Sequence, residues 1–326
     1  MILIRNLSKN FGGVLAVDSI NLDIRQGELF GILGPNGAGK TTIINMLATM
    51  TKPSSGTVHM EGVNLIDHDA IRKLIGIVFQ DPSLDDELTA IENLEFHGRL
   101  YHLSKCMRKA RMSQVLRLVD LEPKANTLVK SFSGGMKRRL EIARGLIHFP
   151  KVLFLDEPTI GLDPQTRRNI WHYIKELNKN EKITIILTTH YMEEADSLCD
   201  RVAIIDQGKI IALDAPPNLK SSVGGDTLTF ECSNVDDFIE LIREFEGIKE
   251  VKKLNEKSFR LRANDGAKLL SSLLKLAVEN RFRIDSVKLE NLTLEDVFIH
   301  YTGKNIRDEK ASDVDRMRTI FKATRK

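Results

Sequence analysis

Glycines, a lysine and threonines stand close together near the amino-terminal end of the chain. The stretch Gly34-Pro-Asn-Gly-Ala-Gly-Lys-Thr41 fits the pattern GxxxxGK[ST], follows the apolar run Phe30–Leu33 and precedes a helical run. Glycines let backbone N–H groups turn inward around phosphate oxygens, and the amino terminus of a helix adds partial positive charge. The spacing predicts a phosphate-binding loop, called the P-loop below, with a plain glycine-rich turn as the alternative. The predicted nucleotide-binding residues of the P-loop are Gly34, Pro35, Asn36, Gly37, Ala38, Gly39, Lys40, Thr41 and Thr42.

Two side chains of the P-loop have separate predicted roles. Lys40 supplies a positive charge to the β- and γ-phosphates of a nucleoside triphosphate, and Thr41 places its hydroxyl on Mg²⁺. The sequence therefore predicts that the chain binds MgATP and hydrolyses it.

A second apolar run ends in two acidic residues. Val152–Leu155 reads as a buried strand and is followed at once by Asp156 and Glu157. In P-loop ATPases the acid at the strand end holds the Mg²⁺ shell, and a neighbouring acid can orient and deprotonate the attacking water. We predict that Asp156 is a magnesium ligand and that Glu157 is the catalytic base. Without the P-loop, two solvated acids at a strand end would be the favoured interpretation.

A Ser-Gly-Gly sequence opens a predicted helix that runs to Ile147. Ser133 suits the N-cap position, and Gly134 and Gly135 follow it directly. The start of this helix is a second place where an anion could bind. Alone, such a cap is weak evidence, because most caps of this kind only begin a helix.

The order of apolar runs and helical patterns predicts an α/β fold with a mostly parallel sheet. Four runs are apolar on both faces, as buried parallel strands must be. These predicted strands are Leu29–Leu33, Val152–Leu155, Ile183–Leu187 and Val202–Ile205. A helix is predicted from Pro164 to Lys179, and the strand signal disappears between about residues 88 and 147. We interpret that segment as an inserted helical subdomain within a domain of residues 1–219.

The last third of the chain has a different pattern. The Ala215-Pro-Pro corner and the Gly224-Gly225 pair interrupt both helix and strand, which predicts a linker. Residues 226–303 then show the order βαββαβ, which is that of a small α+β ferredoxin-like domain. Residues 304–326 are rich in charge and poor in apolar side chains, which is typical of a loosely held helix or tail.

Together these segments resemble the ATP-binding-cassette (ABC) ATPases over roughly Met1–Leu219, with each motif in the expected order. The resemblance implies a P-loop NTPase core of the ABC type. It also implies that Phe11 stacks on adenine, that Gln80 reaches Mg²⁺ and the attacking water, and that His190 is a catalytic histidine near the γ-phosphate. Taken singly, the three residues have plainer interpretations: Phe11 could be core, Gln80 a polar strand end, and His190 a hydrogen-bonded histidine.

The same resemblance identifies two further motifs. Phe132–Met136 resembles the signature motif and Gly161–Asp163 the D-loop, which adds Ser133, Gly134, Gly135 and Asp163 to the nucleotide-binding residues that it implies. The signature reads Phe-Ser-Gly-Gly-Met, where the family usually has Leu-Ser-Gly-Gly-Gln. The contacts of the final glutamine are therefore in question, whereas those of the serine and the backbone are not.

A segment near the carboxyl-terminal end narrows the resemblance to one subfamily of the ABC ATPases. Leu292–Phe298 together with Thr302-Gly303 is similar to the daunorubicin-resistance type of export ATPase, although helix packing alone also explains this segment. The resemblance implies an ATPase subunit on the cytoplasmic face of a membrane. That subunit energises a separate multi-span permease that exports a drug or a similar compound. It also implies a head-to-tail homodimer in which each signature helix completes the ATP site of the other chain.

Composition and charge exclude several classes. The 326 residues carry a net charge of +3, which argues against a nucleic-acid footprint, and three separated cysteines indicate neither a disulfide framework nor a zinc site. No apolar stretch is long enough to span a bilayer. A soluble ABC ATPase acting on ribosomes or DNA stays open as the alternative. A P-loop kinase would have no use for His190 or the signature serine, and a GTPase should show an Asn-Lys-x-Asp motif that is absent.

Overall fold

Alternation of short apolar runs with amphipathic helices produces two units in the computed structural model. The structure describes residues 1–302 apart from positions 82, 244, 264 and 291, so the predicted tail and Gly303 lie outside the described residues. Chain contacts divide the described part into a first unit, residues 1–213, and a second unit that begins at Asp214. Among the described residues, no helix has the length and apolar character that crossing a membrane requires.

The first unit contains the predicted sheet of buried strands. Its six strands have the order β10-β9-β3-β8-β7-β6, and neighbours from β9 to β6 run parallel. The strands are β3 (Leu29–Leu33), β6 (Ile75–Val78), β7 (Val152–Asp156), β8 (Thr184–Thr189), β9 (Arg201–Asp206) and β10 (Lys209–Asp214). Because parallel strands end at the same edge, the carboxyl ends of β3, β7 and β8 bring the P-loop, the two acids and His190 to one side of the sheet.

A second sheet, which we did not predict, belongs to the first unit. It is antiparallel with the order β2-β1-β4-β5 and carries Phe11 at the end of β1. Its strands are β1 (Ile2–Phe11), β2 (Val14–Ile24), β4 (Ser55–Met60) and β5 (Val63–Asn64). Alternating buried and exposed residues along β2 bury one face of this sheet in the core that surrounds α1 (Lys40–Leu47).

The helical subdomain appears where the strand signal disappears. Three α-helices lie between β6 and β7, and each begins at a side-chain cap, from Thr89, Ser104 and Ser133. The remaining helices of the first unit flank the sheets. The helices of the first unit after α1 are α2 (His68–Leu74), then α3 (Ala90–Leu100), α4 (Lys105–Leu118) and α5 (Gly134–Gly145) of the subdomain, and α6 (Pro164–Glu181) and α7 (Met192–Leu198).

The second unit has the predicted βαββαβ order and an antiparallel sheet, β12-β13-β11-β14. Phe230, Phe238 and Phe259 are fully buried and contact one another at the centre of its core. The elements are α8 (Pro216–Val223), β11 (Asp226–Cys232), α9 (Val235–Ile242), β12 (Ile248–Lys253), β13 (Ser258–Ala263), α10 (Gly266–Glu279), β14 (Ile284–Glu290) and α11 (Leu294–Thr302). The fold prediction, a P-loop core of the ABC type followed by a ferredoxin-like domain, is confirmed.

The prediction of a linker between residues 215 and 225 is wrong in one respect, because Pro216–Val223 form helix α8. Pro216 and Pro217 occupy the first two helical positions, where a missing N–H costs nothing. Gly224 ends the helix with φ of 144°, a conformation that favours glycine. The residues that we interpreted as interruptions are therefore the start and stop signals of a helix.

Candidate functional site

The P-loop connects β3 to α1 and wraps around the side chain of its own lysine. Gly39 is the N-cap of α1 with φ of 106°, and a Cβ there would lie 2.5 Å from the carbonyl oxygen of Ala16 in β2. Only glycine fits this position. The Nζ atom of Lys40 is buried and donates to the carbonyl oxygens of Gly34 and Pro35 at 2.9 and 3.0 Å. The ammonium group therefore lies inside the loop, where the resemblance places a phosphate.

Asp156 ends β7 beside the first turn of α1. Its Oδ1 accepts a hydrogen bond from Thr41 Oγ1 at 3.4 Å and another from the hydroxyl of Thr188 in β8. Burial raises the pKa of Asp156, while the two hydroxyl groups oppose that shift. A carboxylate oxygen next to a threonine hydroxyl is a fitting pair for a hard cation such as Mg²⁺.

Glu157 turns away from the direction of β7. Its φ is 46°, a left-handed conformation that is uncommon for a residue other than glycine. The N–H of Glu157 donates to the backbone oxygen and to Oγ1 of Thr188, at 3.2 and 3.1 Å. Successive strand residues would point to opposite faces, so this turn lets both acids face the P-loop while they contact different partners.

The carboxylate of Glu157 lies between two nitrogen atoms. Lys40 Nζ is 3.3 Å from its Oε1, and His190 Nδ1 is 3.1 Å from its Oε2, although the ring is not aligned for a hydrogen bond. Burial works against ionisation of Glu157, but His190 and Lys40 together hold the pKa of that carboxyl below its ordinary value. The adjacent acids therefore have pKa values shifted in opposite directions, which is how enzymes give two carboxylates different roles.

Two further predicted site residues, Gln80 and Phe11, lie on or just after other strands of the first unit. Gln80 is exposed and stands two residues beyond β6, whose end pairs with β7 at Val78 and Leu155. Phe11 is half-buried at the hairpin between β1 and β2, with the ammonium of Lys9 4.7 Å from the centre of its ring. No contact of the described residues joins Gln80 or Phe11 to the buried acids, so their roles rest on the resemblance.

The signature motif and the D-loop lie together. Ser133 caps α5 by accepting from the N–H of Met136 at 3.3 Å, and Asp163 caps α6 by accepting from Thr166 at 3.0 Å. A Cβ on Gly135 would lie 2.5 Å from Cγ2 of Thr166, so glycine is needed where α5 meets α6. The sequence placed the signature in the helical subdomain, and its cap hydrogen bond lies within α5.

Sequence reasoning missed a buried acid next to these groups. Glu194 in α7 is fully buried, and its Oε1 accepts from Thr159 Oγ1 at 2.8 Å and from Trp171 Nε1 at 2.9 Å. Thr159 lies two residues beyond Glu157, so Glu194 braces the loop that carries the predicted base. Nothing in the sequence marked it, because an acid in the first turn of a helix is ordinary.

The described residues can hold a magnesium ion only with help from a substrate. No group of three or more histidine, cysteine, aspartate or glutamate side chains converges anywhere in the described part of the chain. Magnesium commonly binds through one or two carboxylates plus substrate phosphates. The pair of Thr41 and Asp156 fits that mode of binding.

Comparisons with known proteins find a family match in each of the two units. Residues 17–160 match the family described as ABC transporter, and residues 216–302 match the family described as ATP-binding protein DrrA1-3-like, C-terminal domain. The chain is 38% identical over 312 residues to the linearmycin resistance ATP-binding protein LnrL of Bacillus subtilis (strain 168), covering 94% of this chain and 100% of that protein.

Another relative and a solved structure extend the likeness to the export ATPases and to the fold. The daunorubicin resistance ATP-binding protein DrrA3 of Streptomyces coeruleorubidus is 35% identical over 312 residues, 95% of this chain and 98% of that protein. The dimeric post-hydrolysis state of the ATP-binding cassette MJ0796, bound to ADP and Pi, superposes with a TM-score of 0.59 at 31% identity, covering 66% of this chain and 98% of that one. The chain therefore belongs to the ABC transporter family, as an ATP-binding and ATP-hydrolysing subunit with a DrrA-like C-terminal domain.

Proposed function

We propose that this chain energises an export system by hydrolysing MgATP, with Glu157 as the general base. One observation carries the proposal: the left-handed turn at Glu157 brings its carboxylate between Lys40 and His190, beside the P-loop. A base placed there can take a proton from water as that water attacks the γ-phosphate in line.

Binding of the nucleotide changes the environment of the base. Lys40 now contacts Glu157 and two P-loop carbonyls, and phosphate oxygens at the P-loop would compete for the same ammonium group. As Lys40 turns to the phosphates, Glu157 loses part of the charge that keeps its pKa low and becomes a stronger proton acceptor. His190 lies beside the other oxygen of Glu157, and the family resemblance implies that it is also near the γ-phosphate.

Thr41, Asp156 and Gln80 would hold the magnesium ion that neutralises the phosphates. The hydroxyl of Thr41 and the carboxylate of Asp156 already lie side by side. Gln80 at the end of β6 completes the set that the family resemblance implies. Phe11 supplies a ring face for adenine.

The active unit would be a homodimer in which each chain completes the site of the other. Ser133, Gly134 and Gly135 at the start of α5, together with Asp163 of the D-loop, would contact the nucleotide held by the partner's P-loop. The similar cassette MJ0796 was solved as a dimer bound to ADP and Pi, which supports a dimeric unit. The second unit would steady or regulate the dimer, since its core contains no convergent acid, base or metal ligands among the described residues.

The permease would be a separate multi-span chain, with the ATPase peripheral on the cytoplasmic face of the membrane. Membership of the ABC transporter family supports a permease partner. Two relatives whose names state resistance to linearmycin and to daunorubicin support export of a drug or a similar compound.

The variant Glu157→Gln tests the assignment of the base. Glutamine keeps the size and polarity of the side chain but cannot accept the proton, so kcat should fall by about 10² to 10⁴. ATP binding should survive, and the variant should elute as an ATP-bound dimer in size-exclusion chromatography with MgATP. Glu193→Gln, on an exposed residue of α7, is the matched control and should hydrolyse ATP normally. A normal rate in Glu157→Gln would remove Glu157 from the mechanism.

Mixed dimers test completion of the site by the partner. A Lys40→Ala chain and a Ser133→Arg chain should each be nearly inactive alone, because every site in those homodimers has one defective part. Their heterodimer should retain one site with both parts intact. Heterodimers that form but hydrolyse no faster than either parent would contradict independent sites completed by the partner.

A further inference from the structure

Arg138, in the second turn of α5, is a buried cation that our sequence reasoning did not single out. Only 7% of the residue is exposed, and it lies five positions beyond Ser133 on the signature helix. An arginine has five N–H donors in a planar fork, and Arg138 has five acceptors within hydrogen-bond distance. Such complete pairing is what a buried cation needs to be stable.

Three of the five acceptors are the consecutive backbone oxygens around the predicted base. Nη2 donates to the carbonyls of Asp156 and Glu157 at 3.1 and 3.3 Å, and Nε donates to the carbonyl of Pro158 at 2.7 Å. These are the carbonyls of the left-handed turn at Glu157. A backbone conformation of this kind persists where its surroundings fix it, and Arg138 supplies that fixation from α5.

The other two acceptors join Arg138 to the segment that carries Gln80. Nη1 donates to the carbonyl of Phe79 at 2.6 Å and to Oε2 of Glu141 at 2.8 Å. Glu141 in turn accepts from the N–H of Ser83 at 2.8 Å through Oε1. One guanidinium therefore contacts the backbone on the amino-terminal side of Gln80 and, through Glu141, the backbone on its carboxyl-terminal side.

We propose that Arg138 is a positioning residue for ATP hydrolysis, holding the Glu157 turn and the Gln80 segment in register from the signature helix. It touches neither substrate nor the reacting atoms; it acts through the backbone of the residues that do. The proposal rests on the assignment of Glu157 as the base under the proposed function.

The planar fork explains why charge alone cannot replace Arg138. A lysine at this position would have three donors on one nitrogen atom, so it could not reach carbonyls on two separate segments at once. Arg139 is the natural control because it is the next residue on α5 and has the same chemistry. Its Nη1 donates to the carbonyl of Val119 and to the hydroxyl of Tyr173, both at 3.0 Å and both away from Glu157 and Gln80.

The test compares Arg138→Lys, Arg139→Lys and Glu157→Gln with the unchanged full-length chain. We expect Arg138→Lys to lower kcat by up to about 10²-fold with little change in the KM for ATP, since misplacing a catalytic group acts on the chemical step. Arg139→Lys should keep the kcat of the unchanged chain. The double variant Arg138→Lys/Glu157→Gln should lose less than the product of the two single losses, because Glu157, one of the two groups that Arg138 positions, is already gone.

Three outcomes would overturn the proposal for Arg138. A normal kcat for Arg138→Lys beside a slow Glu157→Gln overturns the proposal for Arg138 and leaves the base assignment standing. Multiplied losses in the double variant also overturn it, because they would show that Arg138 acts elsewhere. A normal rate for Glu157→Gln defeats the proposed function first and the role of Arg138 with it.

A second variant keeps the proposal testable if circular dichroism shows that Arg138→Lys is unfolded. Arg138→Gln combined with Glu141→Gln leaves no buried charge unpaired, because both members of the ion pair become neutral. The same loss of kcat with a preserved KM is expected. A folded double variant that hydrolyses ATP at the normal rate would overturn the proposal.

Discussion

The two units bury different kinds of side chain. In the first unit Lys40, Arg138, Asp156, Glu157 and Glu194 are all less than a tenth exposed and lie in one connected region. In the second unit, the one described polar residue buried to that degree is a serine, and the core consists of phenylalanine and aliphatic side chains.

The buried side chains show that the two units are stabilised in different ways. Burying a charge is unfavourable unless the charge is fully paired, so a cluster of buried charges marks a site where chemistry requires them. Burying phenylalanine is favourable and needs no partner. We therefore expect the reaction to take place in the first unit, whereas apolar packing forms the core of the second unit.

Replacing one core phenylalanine by alanine in each unit should give the largest effects on stability. The two replacements should differ in their effect on ATP binding. Phe259→Ala in β13 should lower the free energy of unfolding of the second unit by about 3–5 kcal/mol, because Phe259 contacts both Phe230 and Phe238. ATP binding should persist. Phe154→Ala in β7 is the matched change and should reduce stability and ATP binding together.

Calorimetry and binding of a fluorescent ATP analogue would measure both effects. Loss of ATP binding in a Phe259→Ala chain whose first unit is still folded would break the separation between the units.

Acid should destabilise the first unit through two half-buried histidines. Burial lowers the pKa values of His97 and His148 to about 4, below the ordinary 6.5. Each neutral imidazole therefore contributes stability that is present above pH 6.5 and is lost as the pH falls toward 4. For His148 the loss amounts to at most about 3 kcal/mol.

His148→Gln should flatten this dependence of the melting temperature on pH. Its ring stacks on Tyr101 and its Nε2 lies 2.7 Å from the carbonyl of Ile75, so some stability at pH 7 should also be lost. If the melting temperature of His148→Gln changes with pH between 6.5 and 4 as steeply as that of the unchanged chain, protonation of His148 is not the cause of the pH dependence.

Asp156→Asn should have the opposite effects to Phe259→Ala. It should weaken the binding of ATP and leave the fold intact. Asparagine keeps the shape and can still accept from Thr41 and Thr188, but it lacks the negative charge that a Mg²⁺ shell requires. We expect the magnesium-dependent affinity for ATP to fall by about 10–100-fold. Titration calorimetry with and without Mg²⁺ is the measurement, and an affinity that stays fully magnesium-dependent would contradict the assignment.

Glu194→Gln should give the smallest change, which depends on pH. Burial raises the pKa of Glu194, against the hydrogen bonds from Thr159 and Trp171. Its contribution to stability is therefore greatest below the pKa of the unfolded chain and is lost as the pH rises through the folded pKa. The glutamine variant should lose this slope in the melting temperature, while Glu193→Gln should keep it. Equal slopes in both variants would show that Glu194 is not the group that titrates.

Local signals in the sequence predicted the elements that form the candidate site of the first unit. The P-loop pattern, the acids after Val152–Leu155 and the strand-helix alternation depend on neighbours in the chain, so they could be identified without a structure. Helix α8 shows the limit: Pro216 and Pro217 break a helix interior but begin a helix well, and position within the helix decides between these outcomes.

The sequence alone determined the chemistry that this protein has available: a P-loop, two adjacent acids, a histidine and a signature helix. Tertiary structure decided how those groups meet. The left-handed turn at Glu157, the contact of Lys40 with that carboxylate and the five bonds of Arg138 join residues that are up to 117 positions apart. The partner of a buried charge depends on which segments pack against it, and neither residue type nor local spacing records that.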